Sequence, residues 1–101
     1  MTIIVTVPFF AQTGKAHRGA GDAIFQEQCV GCHGPDGRAE TEMGKKVGAA
    51  DLTAVAVQQL SNSQISKIVK NGKGKMPAFD GKLSDEEIDA VIMHIRQLGK
   101  Q

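Results

Sequence analysis

Three residues stand where chemistry could be built. Cys29 and Cys32 are the only two cysteines of the 101-residue chain, and His33 follows them in the run Cys29-Val30-Gly31-Cys32-His33. On a helical turn, residues three and four apart share a face. Both thiols and the imidazole then project the same way. This spacing is the attachment signature of c-type haem. The two thiols bond the vinyl groups along one edge of a porphyrin, and the imidazole reaches the iron. Gly31 is expected to keep the inside of that turn small.

Other uses of two cysteines need a different setting. A thioredoxin-like dithiol calls for a βαβ context. A zinc site calls for two more ligands, and there is no second C-x-x-C and no H-x-x-x-H. A disulfide across two residues leaves His33 without a role.

An iron bound by His33 has a second axial side, and methionine sulfur suits it. There are four methionines. Met1 lies in an apolar leader. Met93 points about 160° away from the apolar stripe of its helix and is expected at the surface. Met43 comes ten residues after His33, in the loop expected on the histidine side. Met76 comes 43 residues after His33, with Pro77 behind it. Proline holds the preceding residue extended, which fixes the Met76 backbone in one pose. Met76 is therefore read as the second ligand.

The elements that must position these residues are helical. The first helix is expected to begin near Gly19–Gly21 and to run into the motif, after a polar lead-in at 12–18 in which His17 reads as a solvated loop residue. Gly21 and Phe25 share a face. Gly21 reads equally as part of the helix start or as a point where another helix comes close. From Gly34-Pro35-Asp36-Gly37 to Gly48 the chain is polar without a clear period and reads as a loop. Residues 51–60 read as a short helix or an irregular segment. Ser61-x-x-Gln64 and Ser84-x-x-Glu87 are capping boxes, each flanked by a hydrophobic staple (Leu60 with Ile65, Leu83 with Ile88). The helix after Ser61 ends at Asn71-Gly72. The one after Ser84 carries Ile88, Val91, Ile92, Ile95 and Leu98 as a stripe and stops at Gly99. The fold class is all-α: three main helices joined by long loops that pack around the haem.

Composition agrees. Net charge is +1, with four Phe, no Trp and no Tyr, so a nucleic-acid binder is not indicated. A chain of this size makes one domain and gains from a covalent staple. Residues 1–11 are apolar and uncharged, too short to span a bilayer. They read as the remnant of a secretory signal with Ala11 before the cleavage point, or as an apolar tail. Residues 12–101 form the haem domain.

The sequence resembles a small bacterial class I cytochrome c over residues 19–99. The resemblance rests on Gly21, Phe25, Cys29-Val30-Gly31-Cys32-His33-Gly34, Asp51-Leu52, Gly72-Lys73-Gly74-Lys75-Met76-Pro77 and the helix from Leu83 to Leu98. It implies the cytochrome c fold, one haem c on Cys29 and Cys32, His33 and Met76 on the iron, and a crossing of first and last helices near Gly21 and Phe25. It also implies attachment outside the cytoplasm, in a periplasm or other extracytoplasmic space. Two positions depart from the family. Glu42 stands where a loop proline usually offers its carbonyl to the ligand histidine, and the Glu42 carbonyl is expected to take that role. His94 stands where an aromatic is usual and reads as a packed, neutral histidine.

The function expected is one-electron transfer in a respiratory or other extracytoplasmic chain, without catalysis. Transient redox partner proteins would meet the haem edge, with Lys45, Lys46, Lys73 and Lys75 as candidate contacts and the protein a monomer. The alternatives are a haem domain of a larger oxidoreductase, a haem enzyme or gas sensor with Met76 displaced, and a non-haem redox or metal module using Cys29 and Cys32.

Overall fold

The computed structural model describes residues 13–101, with side chains from Ala20 onward. The apolar run 1–11 lies outside the described residues. Six helices follow in order: α1 (Thr13–Gln28), α2 (Val30–His33), α3 (Glu42–Val47), α4 (Val55–Gln58), α5 (Asn62–Asn71) and α6 (Asp85–Leu98). Among the described residues there is no strand, only isolated bridges pairing Lys73 with Met76 and Asp80 with Leu83.

α1 packs chiefly on α6. The crossing is set by Gly21, because a Cβ there would stand 2.1 Å from the Ala90 carbonyl oxygen. Only a residue without a side chain lets the two backbones meet. Phe25, one turn on, is fully buried beside this contact, with Ile88 and Val91. Burying such a ring contributes roughly 1.5–3 kcal/mol. Of the two readings of Gly21, close approach is the one realised. The helix start lies eight residues earlier, at Thr13.

That earlier start corrects two expectations. Residues 13–18 are helix and not a polar lead-in, and His17 lies within α1. Lys15, Ala16 and Arg18 are good helix formers, and Gly14 and Gly19 do not break the run.

Both capping boxes form. Gln64 N–H donates to Ser61 Oγ at 3.0 Å and Ser61 N–H to Gln64 Oε1 at 2.8 Å. Glu87 N–H donates to Ser84 Oγ at 3.1 Å and Ser84 N–H to Glu87 Oε1 at 2.9 Å. α6 buries its stripe of Ile88, Val91, Ile92, Ile95 and Leu98, and leaves Met93 exposed, as its helical phase requires. Gly99 closes α6 with an ordinary right-handed φ of −67°. Its role is room: a Cβ there would lie 2.4 Å from Cδ of Gln58. Gln58 Nε2 in turn donates to the carbonyls of Leu52 at 2.6 Å and Ile95 at 3.1 Å.

The stretch read as a loop contains α3. Thr41 caps it by accepting from Gly44 N–H at 2.9 Å, and Gly48 ends it at φ +70°. Residues 51–60 contain the single turn of α4. Gly31 also differs from expectation, since it is exposed and a Cβ there would meet nothing within 4 Å.

Candidate functional site

The motif is an extension of α1 into α2. Cys29 N–H donates to the Phe25 carbonyl at 2.9 Å, and His33 N–H to the Cys29 carbonyl at 2.9 Å. The backbone stays helical through the motif, so Cys29, Cys32 and His33 share one side of the turn. Gly34 then leaves the helix at φ +76°.

All three residues line one cavity of about 480 Å³, and Met76 lines it too. That volume falls within the ~300–1,000 Å³ usual for ligand and cofactor pockets. Its wall is mainly apolar, with Leu52, Ile65, Val69 and Phe79 among the contributors, and among the described residues no acidic side chain lines it. Met43 and Met93 are 49% and 40% exposed, and neither reaches the cavity.

His33 is oriented from behind. Its Nδ1–H donates to the Ala50 carbonyl at 2.9 Å. This leaves Nε2 as the nitrogen with a free lone pair. The acceptor is not Glu42, as the spacing suggested. Glu42 is the first residue of α3, and the helical turns that follow take up chain length, so the carbonyl that returns to the ring is eight residues further on. Thr41 and Ala50 are the two positions that the sequence did not disclose. The only clue was Thr41 standing three residues before Gly44, a bare capping pattern.

Met76 is held by a tight turn. Met76 N–H donates to the Lys73 carbonyl at 2.9 Å, and Lys73 N–H returns to the Met76 carbonyl at 3.3 Å. A Cβ on Gly72 would stand 2.5 Å from the Met76 carbonyl oxygen. Beyond Pro77, Phe79 N–H bonds the Val69 carbonyl at 3.0 Å and Asp80 N–H the Lys70 carbonyl at 3.1 Å. The loop is thereby laid back on the end of α5, with Met76 packed against the core. Lys73 and Lys75 are exposed at the cavity, whereas Lys45 and Lys46 of α3 do not line it.

Burial pushes the Cys29 thiol up to about 11. A dithiol built for exchange has its reactive thiol lowered, not raised. Among the described residues no group of three or more His, Cys, Asp and Glu side chains could hold a metal ion. The raised thiol counts against an exchange-active dithiol. Two thiols, one imidazole with its outer nitrogen already bonded, and one thioether around an apolar cavity suit a haem.

His94 packs as expected, with its ring centroid 4.8 Å from that of Phe25. Among the described residues its buried Nε2 has no hydrogen-bond partner. Asp22 Oδ1 lies 3.8 Å away, too far for a hydrogen bond.

A helical shell with a Cys-x-x-Cys-His turn on the wall of an apolar cavity defines a c-type cytochrome. Comparison with known proteins agrees. Residues 16–95 match the family described as cytochrome c oxidase, cbb3-type, subunit III. The cytochrome c6 of Bryopsis maxima is 37% identical over 75 residues, covering 74% of this chain and 84% of that protein. The cbb3-type cytochrome c oxidase subunit FixP of Bradyrhizobium sp. (strain ORS 278) is 34% identical over 82 residues, covering 79% of this chain but 27% of that one. Among solved structures, the KustC0563 c-type cytochrome superposes with a TM-score of 0.71 at 29% identity, covering 77% of this chain and 95% of that chain. The chain belongs to the c-type cytochrome family. It carries one covalently bound haem c and is an electron-transfer protein rather than an enzyme.

Proposed function

We propose that this chain is a one-electron carrier of an extracytoplasmic electron-transfer chain, with haem bonded to Cys29 and Cys32 and ligated by His33 and Met76. The observation that carries this reading is the convergence of those four side chains on one cavity. Haem iron ligated by imidazole and thioether changes oxidation state by one electron, at a potential raised by the methionine. The Ala50 carbonyl holds the His33 ring and its tautomer. The turn from Lys73 to Met76 holds the sulfur. Leu52, Ile65, Val69 and Phe79 keep water out, which disfavours the more charged oxidised state. Lys73 and Lys75 form a basic rim for a partner with acidic side chains, in the small, transient contact usual for electron transfer. The protein acts as a monomer.

Met76→Ala tests the ligand set. The weak sulfur-to-ferric-iron absorption band should vanish and the reduction potential should fall. If both are unchanged, Met76 is not a ligand. If the wild-type protein binds carbon monoxide readily, the sixth position is open and the sensor or enzyme reading is favoured instead. A second reading, a haem domain within a larger oxidoreductase, draws on the FixP match, in which this chain corresponds to 27% of the relative.

A further inference from the structure

We propose that Thr41 is a positioning residue for His33, acting through α3 as a strut fixed to the haem-binding turn at both ends. The inference rests on His33 being the iron ligand, as proposed above.

At the near end, the Thr41 hydroxyl makes bonds in two directions. Its Oγ1–H donates to the carbonyls of Gly31 at 3.0 Å and Cys32 at 3.1 Å. The same oxygen accepts from Gly44 N–H at 2.9 Å. Helix capping needs only the second bond. The first ties α3 to the carbonyls of Gly31 and Cys32 within the motif. Gly44 seals the contact, because a Cβ there would stand 2.1 Å from the Cys32 carbonyl oxygen.

At the far end, Gly48 turns the chain at φ +70°, with Ala49 N–H bonding the Gly44 carbonyl at 2.9 Å. Ala50 follows, and its carbonyl accepts from His33 Nδ1 at 2.9 Å. The path from Thr41 to Ala50 thus leaves the backbone of the motif and returns to its imidazole. In place of a stiff proline, a capped helix of six residues sets where the acceptor stands. A second anchor, Leu52 N–H on the Gly37 carbonyl at 2.7 Å, limits how far Ala50 can drift when Thr41 is lost.

A carbonyl bonded to Nδ1–H makes the imidazole a stronger donor to the metal, which favours the oxidised form. Loosening the strut should therefore favour the reduced form. The test uses holoprotein variants that separate capping from tying. Thr41→Ser keeps both bonds. Thr41→Asp keeps a capping acceptor and loses the donor to Gly31 and Cys32. Thr41→Val loses both at nearly constant volume. Each is equilibrated with a redox mediator of fixed potential, and exchange of the His33 Nδ1–H with solvent is followed by NMR in the reduced protein.

Thr41→Val should shift the equilibrium toward the reduced form by about two- to fivefold, part of the ~10-fold or more that outer-shell partners of a ligand can control, whereas the new carboxylate of Thr41→Asp itself favours the oxidised form, so that variant is read by exchange alone. Exchange of Nδ1–H should quicken by about as much in both variants. Thr41→Ser should match wild type. If Thr41→Asp exchanges Nδ1–H at the wild-type rate, Thr41 is a helix cap and nothing more. If Thr41→Val leaves both measurements unchanged, the strut is not what holds the ring. If instead the His33 ring protons of the wild-type holoprotein lack the large upfield shift of an imidazole bound under a haem, the ligand assignment fails first, and the two failures are told apart.

Discussion

Gly21→Ala is the perturbation on which the fold can be tested most sharply. On an isolated helix the change is favourable by about 1 kcal/mol, since alanine is the better helix former. At the crossing it is not. The new methyl would sit 2.1 Å from the Ala90 carbonyl oxygen and 2.6 Å from its carbonyl carbon. Both are backbone atoms of a buried helix, so neither can swing aside. α1 and α6 must part by roughly 1 Å to restore ordinary contact, and a gap of that size forfeits about a quarter to a half of each dispersion contact across it. The contacts at stake are those of Phe25, Ile88 and Val91, all 0–1% exposed. Overpacking of this kind costs about 1–3 kcal/mol and occasionally more. Two backbone atoms are met at once, so the upper end applies, and subtracting the propensity gain of about 1 kcal/mol leaves a net destabilisation of about 2 kcal/mol.

For a domain near this size, about 1 kcal/mol moves Tm by about 4–8 °C, so Tm should drop by roughly 8–16 °C. Thermal and guanidinium unfolding of the holoprotein, followed by far-UV circular dichroism, would measure it. Gly31→Ala is the matched control. Its methyl would meet nothing within 4 Å, so only the helix-propensity gain acts, and its stability should match wild type or exceed it by up to about 1 kcal/mol. If Gly21→Ala is as stable as Gly31→Ala, the close approach does not organise this fold and the reasoning is wrong.

Three further outcomes are expected. His94→Phe keeps a ring against Phe25 and removes a buried Nε2 that has no partner among the described residues, so the free energy of unfolding should rise by about 1 kcal/mol; a fall would show that the nitrogen is satisfied in solution. Arg96 bonds the carbonyl of Gln58 at 2.9 Å and Asn62 Oδ1 at 2.8 Å, and also reaches the Leu60 carbonyl. Arg96→Lys should therefore cost about 2 kcal/mol, because an ammonium cannot reproduce the planar fork, and an unchanged denaturation midpoint would refute the clamp. The Asp51 carboxyl is held below its ordinary 3.8, first by the Thr53 hydroxyl and then by the Thr53 N–H. A carboxyl depressed in the native state stabilises it above the unfolded pKa, and that stabilisation is lost as pH falls through the native value. Asp51→Ala should be less stable than wild type at neutral pH, by a small amount for so exposed a group, and the difference should close below about pH 4; a difference independent of pH would assign the effect to packing.

What could be read in the sequence and what could not divide along a physical line. Cys29, Cys32 and His33 act through local helical spacing, and the boxes at Ser61 and Ser84 act through bonds three residues apart, so each is written in a short window. The stripe from Ile88 to Leu98 is equally plain, because a period of 3.6 needs no knowledge of its partner. Met76 could be singled out because Pro77 and the glycines around it leave few backbone choices. α3 could not be read, because six residues are too few to show a period or to be stable alone. It exists because Gly44 lies on the Cys32 carbonyl and Thr41 bonds the motif across ten residues of chain. The Ala50 acceptor was hidden for the same reason. The family's spacing from His33 pointed to Glu42, but that spacing assumes the family's loop path, and a helix shortens the reach of each residue from about 3.3 Å to 1.5 Å. The spacing along the chain between a ligand and its hydrogen-bond partner is therefore a property of the whole loop. A family that changes the loop can keep the bond while moving the residue that makes it.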